Sequence, residues 1–322
     1  MGTKCTFLCG LHNIEVNEDL GDGFILVPNE KSNNFPSIKI TNNKSKLSSL
    51  LNRELAVLIG AIEYSHLTEG YPIVAFAENE FESDKVSSID HLDLHLYLLK
   101  AFFFCLWMTK DNAADFDIGF LQFTNSAGMQ EVSANNMTTT NFDVSGNRAS
   151  NQFTIKELNT ASKYLKECIH IQHNNRPKLA SASSLDRIGI ANYFIQSATI
   201  SYDLGIKAVG YCSALETLFA NGDNTELSHK LSERVSKFLE KELEPRKTIY
   251  KNVKKIYDIR SKVVHGATYK SNKVEELSES VKQADEICRR IMIYALTTNE
   301  VDNIFDKSRE DLETYFLDLI LR

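Results

Sequence analysis

Apolar and polar positions follow no single rhythm over the first half of the chain and settle into helical spacing over the second. Phe24–Val27 and Ile38–Ile40 predict short strands between Gly, Asn and Asp turns, and Pro72–Ala77 and Phe116–Thr124 predict two more. Ile89–Met108 carries aromatic residues and leucines at helical intervals and predicts a helix, whereas Leu47–Tyr64 is irregularly apolar and fits strand or helix. Asn135–Asn151 is rich in Asn, Thr, Ser and Gly and predicts a loop or hairpin. Thr154–Ile171 predicts a helix with Leu158, Ala161, Leu165, Cys168 and Ile169 on one side.

The polar stretch His173–Ser184, with Pro177 inside it, is the best boundary. Beyond it, Ile188–Tyr202 places Ala191, Phe194, Ile195, Ala198 and Tyr202 in register, and Ile206–Ala220 is apolar almost all round, as a central helix should be. A turn at Asn221–Asn224 precedes Glu226–Leu239, with Leu227, Leu231, Val235, Phe238 and Leu239 facing inward. Pro245 suits the first turn of a helix running to about His265, where Gly266 is a good cap. Val274–Leu296 keeps Leu277, Val281, Ala284, Cys288, Ile291 and Ala295 in step, and Val301–Leu321 is a last amphipathic stretch. The expectation is an α+β N-terminal region over 1–175 followed by an all-α helical bundle over 176–322, which a chain of 322 residues is long enough to form.

Composition is that of a soluble globular protein. The net charge of −7 argues by itself against a nucleic-acid partner, but its distribution changes that picture. Arg246–Lys273 holds nine basic residues and one acidic, Asp258, a net of +8 that leaves −15 for the rest. An acidic protein with one concentrated basic helix can hold a phosphate-bearing partner at one place, although a solvated helix face has the same pattern. Cys5, Cys9, Cys105, Cys168, Cys212 and Cys288 form no C-x-x-C pair and match no zinc spacing, which points to free, mostly buried thiols in a reducing cytosol. His91 with His95, and His170 with His173, are half of a metal site at most, so no metal and no cofactor are expected. No signal-peptide pattern opens the chain, and the most apolar run, Leu96–Met108, is too short to span a bilayer. Met1–Thr6 matches the loose myristoylation pattern, but no polybasic segment follows. A cytoplasmic protein without a membrane partner is expected.

Turned at about 100° per residue, the helix from Pro245 has an apolar stripe of Ile249, Val253, Ile256 and Val263, and Arg260 falls inside it. A charge there must be paired or must face a groove or partner. Lys247, Lys251, Lys254 and Lys262 lie on the opposite face, and so does His265, about 140° from Arg260. The two converge only if the helix loosens or ends near His265. One reading of the pair is metal-independent RNA cleavage: Arg260 neutralises the scissile phosphate, and His265 moves the proton as general acid or base. The other is that Arg260 pairs with a structural acid while His265 stabilises the helix end. Glu216, within the apolar arc of its own helix beside Cys212 and Phe219, needs a partner, and Arg260 is the proposed one. Lys254, Lys255 and Lys262 are candidates for RNA backbone contacts, and His229 is read as structural.

Arg260-x4-His265 matches the R-x4-6-H signature of HEPN domains, and Ile256–Gly266 (IYDIRSKVVHG) resembles the Apea-like HEPN group in particular. Ser213–Phe219 resembles that group's central helix and Glu226–Arg234 the helix after it, so the resemblance covers roughly residues 186–298. It implies a HEPN helical bundle that dimerises, setting two R-x4-H motifs in a shared cleft. It implies an endoribonuclease of antiviral defence or toxin systems, acting on tRNA or other single-stranded RNA loops, with Arg260 and His265 catalytic and Glu216 and Ser261 supporting. The first half then becomes a sensing or regulatory region, with a phage-derived protein as trigger. A non-catalytic HEPN module binding nucleotide or a protein partner is the alternative. Two features depart from the family: Ser261 stands where many HEPN toxins have Asn, Asp or His, and Tyr269 lies four residues after His265 rather than two.

Overall fold

Residues 3–27, 37–70, 72–81, 88–124, 128–135, 138, 140–174, 186–220, 226–266, 273–298 and 303–321 are described by the computed structural model of the chain. Its contacts divide it into two units, Met1–Asn141 with Arg148–Lys166, and Phe142–Asn147 with Glu167–Arg322. An α+β region is thus followed by a helical one.

The first unit is organised by strands β1 (Thr3–His12), β3 (Phe24–Val27), β4 (Ile38–Thr41), β5 (Ile73–Phe81), β6 (Asp115–Thr124) and β7 (Gln130–Ala134), antiparallel in the order β3-β4-β5-β1-β6-β7. A short parallel pair, β2 (Ile14–Glu15) with β8 (Asn151–Gln152), stands apart. The central strand β1 is the element that periodicity does not reveal. It is covered on both faces, so Phe7, Leu8, Cys9 and Leu11 are all buried and the alternation of a half-exposed strand is lost.

Leu47–Tyr64 resolves as helix. Asn43 and Asn52 accept backbone N–H groups at the starts of α1 (Lys44–Leu50) and α2 (Arg53–Ile59), and α3 (Ala61–Ser65) runs into a π-helical turn, His66–Gly70. Leu50, Leu51, Leu55 and Leu67 from this segment pack with Leu8, Val74, Phe76 and Phe120 of the sheet. The opposite sheet face, marked by Phe7, meets α4 (Ser88–Thr109), whose His95 stacks on Phe7 at 4.7 Å. Residues Ile89–Thr109 of α4 are long and apolar enough to cross a membrane, and most of that stretch is buried inside the fold. The stretch Asn135–Asn151 has no strand among its described residues before β8. Thr154 and Glu157 form a reciprocal cap at the start of α5 (Ile155–Asn174), burying Leu158, Ala161 and Leu165. The side chains from Cys168 to Asn174, the rest of the expected boundary to Ser184, and Met1–Gly2 lie outside the described residues.

The second unit is built from α6 (Arg187–Thr199), α7 (Leu204–Phe219), α8 (Leu227–Leu239), α9 (Leu243–Val264), α10 (Val274–Thr297) and α11 (Arg309–Leu321), with a 3-10 turn at Ile304–Asp306. Helix α7 is central and touches α6, α8, α9 and α10. Gly210 permits the α6–α7 approach, since a Cβ there would meet the Phe194 carbonyl oxygen and the Ala198 Cβ at 2.8 Å. Two positions differ from the periodic expectation. Helix α6 stops at Thr199, capped by Ile200, so Tyr202 lies beyond it and is exposed. At the start of α7, Ile206 is exposed while Lys207 is buried, its Nζ donating to the carbonyls of Ala198 at 3.0 Å and Phe142 at 3.2 Å. That lysine ties the segment Phe142–Asn147 to the α6–α7 turn. The turn Asn221–Asn224 lies outside the described residues.

Candidate functional site

Helix α9 carries the R-x4-H pair. Pro245 sits in its first turn, where a missing N–H costs nothing, and the helix runs unbroken to Val264. Its buried residues are Ile249, Val253, Ile256 and Ile259. In the last two turns the buried face therefore swings toward Ile259, Val263 is only half-buried, and Arg260 is left at the margin of the stripe rather than in its middle.

There Arg260 meets Glu216 of α7. Its Nη2 donates to Glu216 Oε2 at 3.3 Å, with 29% of the arginine side chain and 16% of the glutamate side chain exposed. The pairing expected from the two apolar arcs is present. Cys212, one turn before Glu216, brings its thiol to 3.8 Å from Oε1. Burial pushes the Glu216 carboxyl above its ordinary value, and Arg260 and the thiol pull it back only in part. The Cys212 thiol is pushed well up by burial and then by Glu216. Tyr257, one turn before Arg260, is raised by burial and then by the charge of the same carboxylate. Sequence reasoning missed Tyr257, although its spacing of three from Arg260 was a usable signal. The Arg260 Nε is buried without a hydrogen-bond partner among the described residues, as are those of Arg234 and Arg289, so what an outside anion can reach is the 29% of the side chain that stays exposed. Chemically this is an arginine held in place by one carboxylate and still able to take an anionic oxygen.

His265 is placed elsewhere. It is the C-cap of α9, with φ −88° and ψ 13°, and its N–H donates to the Ser261 carbonyl at 3.1 Å while the Gly266 N–H donates to that of Val263 at 3.0 Å. The chain leaves the helical path only at Gly266, where φ is +76°. The ending comes one residue too late to redirect His265, which stays about 140° around the helix and about 7.5 Å along it from Arg260. The imidazole is exposed, and takes no hydrogen bond or ion pair among the described residues. Ser261 lies between the two in angle, about 40° from His265. Within one chain the structure therefore joins Arg260 to Glu216, which the Cys212 thiol also approaches, and leaves His265 on the opposite, lysine-bearing face.

Of the lysines, Lys254 and Lys262 are exposed and make no ion pair among the described residues. Lys255 is committed to Glu276 of α10 at 3.1 Å, and that contact holds the Glu276 carboxyl below its ordinary value. Lys255 is thus a tie between helices rather than an open contact. His229 is exposed, with Nδ1 at 3.0 Å from the Tyr250 hydroxyl. Tyr269 lies outside the described residues.

Below the Arg260 cluster, α7 and α10 share a second polar group. The Tyr211 hydroxyl donates to Asp285 Oδ1 at 2.8 Å, and Arg289 pairs with Asp285 Oδ2 at 2.9 Å. Asp285 is fully buried, so this group belongs to the core. In the first unit His95 is fully buried, and among the described residues no three His, Cys, Asp or Glu side chains are placed to hold a metal ion. The five cysteines Cys5, Cys9, Cys105, Cys212 and Cys288 are free and buried.

No family model matches this chain, and no curated protein and no solved structure matches it either.

Proposed function

We propose that the helical unit is a HEPN-type, metal-independent endoribonuclease, a cytoplasmic antiviral or toxin effector that cleaves tRNA or other single-stranded RNA loops. The observation that carries the reading is Arg260 itself: a guanidinium fixed by Glu216 with 29% of its side chain still exposed, near the end of a helix that closes on an exposed histidine. In this mechanism the substrate 2′-hydroxyl attacks the adjacent phosphorus, the 5′-oxygen leaves, and a 2′,3′-cyclic phosphate remains. Arg260 neutralises the non-bridging oxygens as charge builds on them, and His265 takes or returns the proton. Because Arg260 and His265 diverge within one chain, the reading requires a homodimer in which one subunit's His265 faces the other's Arg260. Support for a seam comes from exposed apolar side chains at the end of α9: Ile206 and Val264 flank the contact of Gly205 with Val263, and Ile200 and Tyr202 are exposed in the α6–α7 turn. Residues 1–175 act in this reading as a sensing region answering a phage-derived protein. That role fails if residues 176–322 alone are no more toxic than the whole chain.

The deciding experiment compares wild type, Arg260→Ala and His265→Ala on total RNA, with folding and mass in solution measured for each. Loss of cleavage in both variants with fold and dimer intact supports the enzyme. Equal cleavage in His265→Ala would sink it. The Arg260–Glu216 pair also ties α9 to α7, which favours as second reading a non-catalytic HEPN module binding nucleotide or a protein partner. In that case Arg260→Ala lowers stability, and His265→Ala changes nothing.

A further inference from the structure

The solvent face of α9 holds more than His265. Lys247, Lys251, Lys254, Asp258, Lys262 and His265 are all exposed and fall within an arc of about 80°. From Lys247 to His265 that strip runs about 27 Å along the axis. Lys247 pairs with Glu244 at 2.7 Å, but Lys251, Lys254 and Lys262 make no ion pair among the described residues. In a protein of net charge −7, a strip on which Lys251, Lys254 and Lys262 outnumber the single Asp258 is where a polyanion is drawn.

At the far end of the strip stands an aromatic pair. Tyr250 flanks Lys247 and Lys254 on the side toward α8, half-buried, and its hydroxyl is held 3.0 Å from His229 Nδ1. The two rings meet edge to face, centroids 6.0 Å apart at 75°, with His229 exposed. A buried core uses neither ring fully, and the hydrogen bond fixes the phenol beside the lysines. Basic side chains that follow a backbone, with an aromatic surface alongside for bases, are the components of a single-strand binding groove.

We propose that the exposed face of α9 is a track for a single-stranded nucleic acid, its phosphates following Lys262, Lys254 and Lys251 away from His265 and a base stacking at Tyr250–His229. The track rests on the reading of His265 as a group that acts on RNA, and it adds a binding subsite several nucleotides from the bond cleaved. Single strands are required because a paired base has no free face to offer the tyrosine.

The test measures binding of a labelled oligodeoxythymidylate, which lacks the 2′-hydroxyl nucleophile and stays intact, to the whole chain over a range of salt. Wild type binds, and affinity falls with salt. Lys251→Glu/Lys254→Glu weakens binding by about tenfold or more and lowers the log–log salt slope by about 1.4. Tyr250→Leu weakens binding about tenfold with the slope unchanged, and Tyr250→Phe retains affinity within about twofold, because stacking needs the ring and not the hydroxyl. A wild type that ignores the oligonucleotide, or a double lysine variant with wild-type affinity and slope, overturns the track. RNA cleavage that depends on His265 beside unchanged binding in the lysine variant would sink the track and leave the nuclease. Binding through the strip by a chain that cleaves no RNA would leave the track and sink the nuclease.

Discussion

Two arginines of the helical unit occupy similar positions in sequence and opposite ones in chemistry. Arg234, in the seam of α7, α8 and α11, has only 6% of its side chain exposed, donates Nη1 to the Phe219 carbonyl at 2.8 Å and Nη2 to Glu313, and lies over the Phe316 ring at 4.7 Å. Arg260, in the seam of α7 and α9, has 29% exposed and, among the described residues, one partner, Glu216, at 3.3 Å. The first guanidinium is enclosed and joins three helices. The second is held at one nitrogen and stays partly exposed, while the Nε of each is buried without a partner among the described residues. A desolvated charge with this many fixed partners is a structural joint, whereas one left at the margin of a core keeps the capacity to meet an outside anion.

The sharpest way to break the contrast is to remove each arginine and read two quantities. Arg260→Ala should lower RNA cleavage by about a thousandfold while costing about 1 kcal/mol of stability, since its pair is partly solvated. Arg234→Ala should do the reverse, costing about 3–4 kcal/mol in denaturant unfolding with cleavage per folded molecule unchanged. If both variants lost stability equally and neither lost activity, the distinction would be void.

His95 extends the comparison to the first unit, as a polar group buried with one ring nitrogen unmet. Its Nδ1 lies 2.6 Å from the His91 carbonyl, while Nε2 has no partner among the described residues. Burial lowers its pKa from 6.5 to about 4. The unfolded chain therefore takes the proton first. His95's contribution to stability is whole above pH 6.5 and is lost as pH falls toward about 4, to a limit of roughly 3 kcal/mol. His95→Phe keeps the stack on Phe7 and should flatten this part of the stability profile. An acid limb as steep in the variant as in wild type would refute the assignment.

The smallest effect concerns the Glu216–Arg260 pair. Burial raises the Glu216 pKa in spite of Arg260, so the folded chain holds that proton more tightly than the unfolded one. Its contribution is then most favourable below the unfolded value and declines as pH rises through the folded one. Glu216→Leu alone strands Arg260 and should cost about 1–2 kcal/mol. Glu216→Leu/Arg260→Met should lie within about 1 kcal/mol of wild type, because the apolar pair removes two desolvation penalties together. A double variant no more stable than the sum of its singles would show that the groups do not couple.

Helical periodicity located α4 and α6 to α10 within a few residues, because each buries one stripe or is apolar throughout. It passed over β1, whose residues are buried on both faces and so carry no alternation. It left α1 to α3 undecided, because helices this short are set by caps such as Asn43 and Asn52 more than by a face. Of the candidate site, Glu216 and Arg260 were legible as two charges inside apolar arcs. Tyr257 and the commitment of Lys255 to Glu276 were not, since both depend on which helix lies alongside α9.

By itself, the sequence determined the order of an α+β region and a helical one, the basic character of α9, and the angle of about 140° between Arg260 and His265. These are local properties, governed by spacing along one helix and by composition. Tertiary structure alone decided that Arg260 sits at the edge of its stripe against Glu216, that part of its side chain stays exposed, and that α9 holds its form through His265 before Gly266 turns the chain. The reason is physical: whether a side chain is covered, paired or left open depends on the surface that packs against it, and that surface comes from residues distant in the chain.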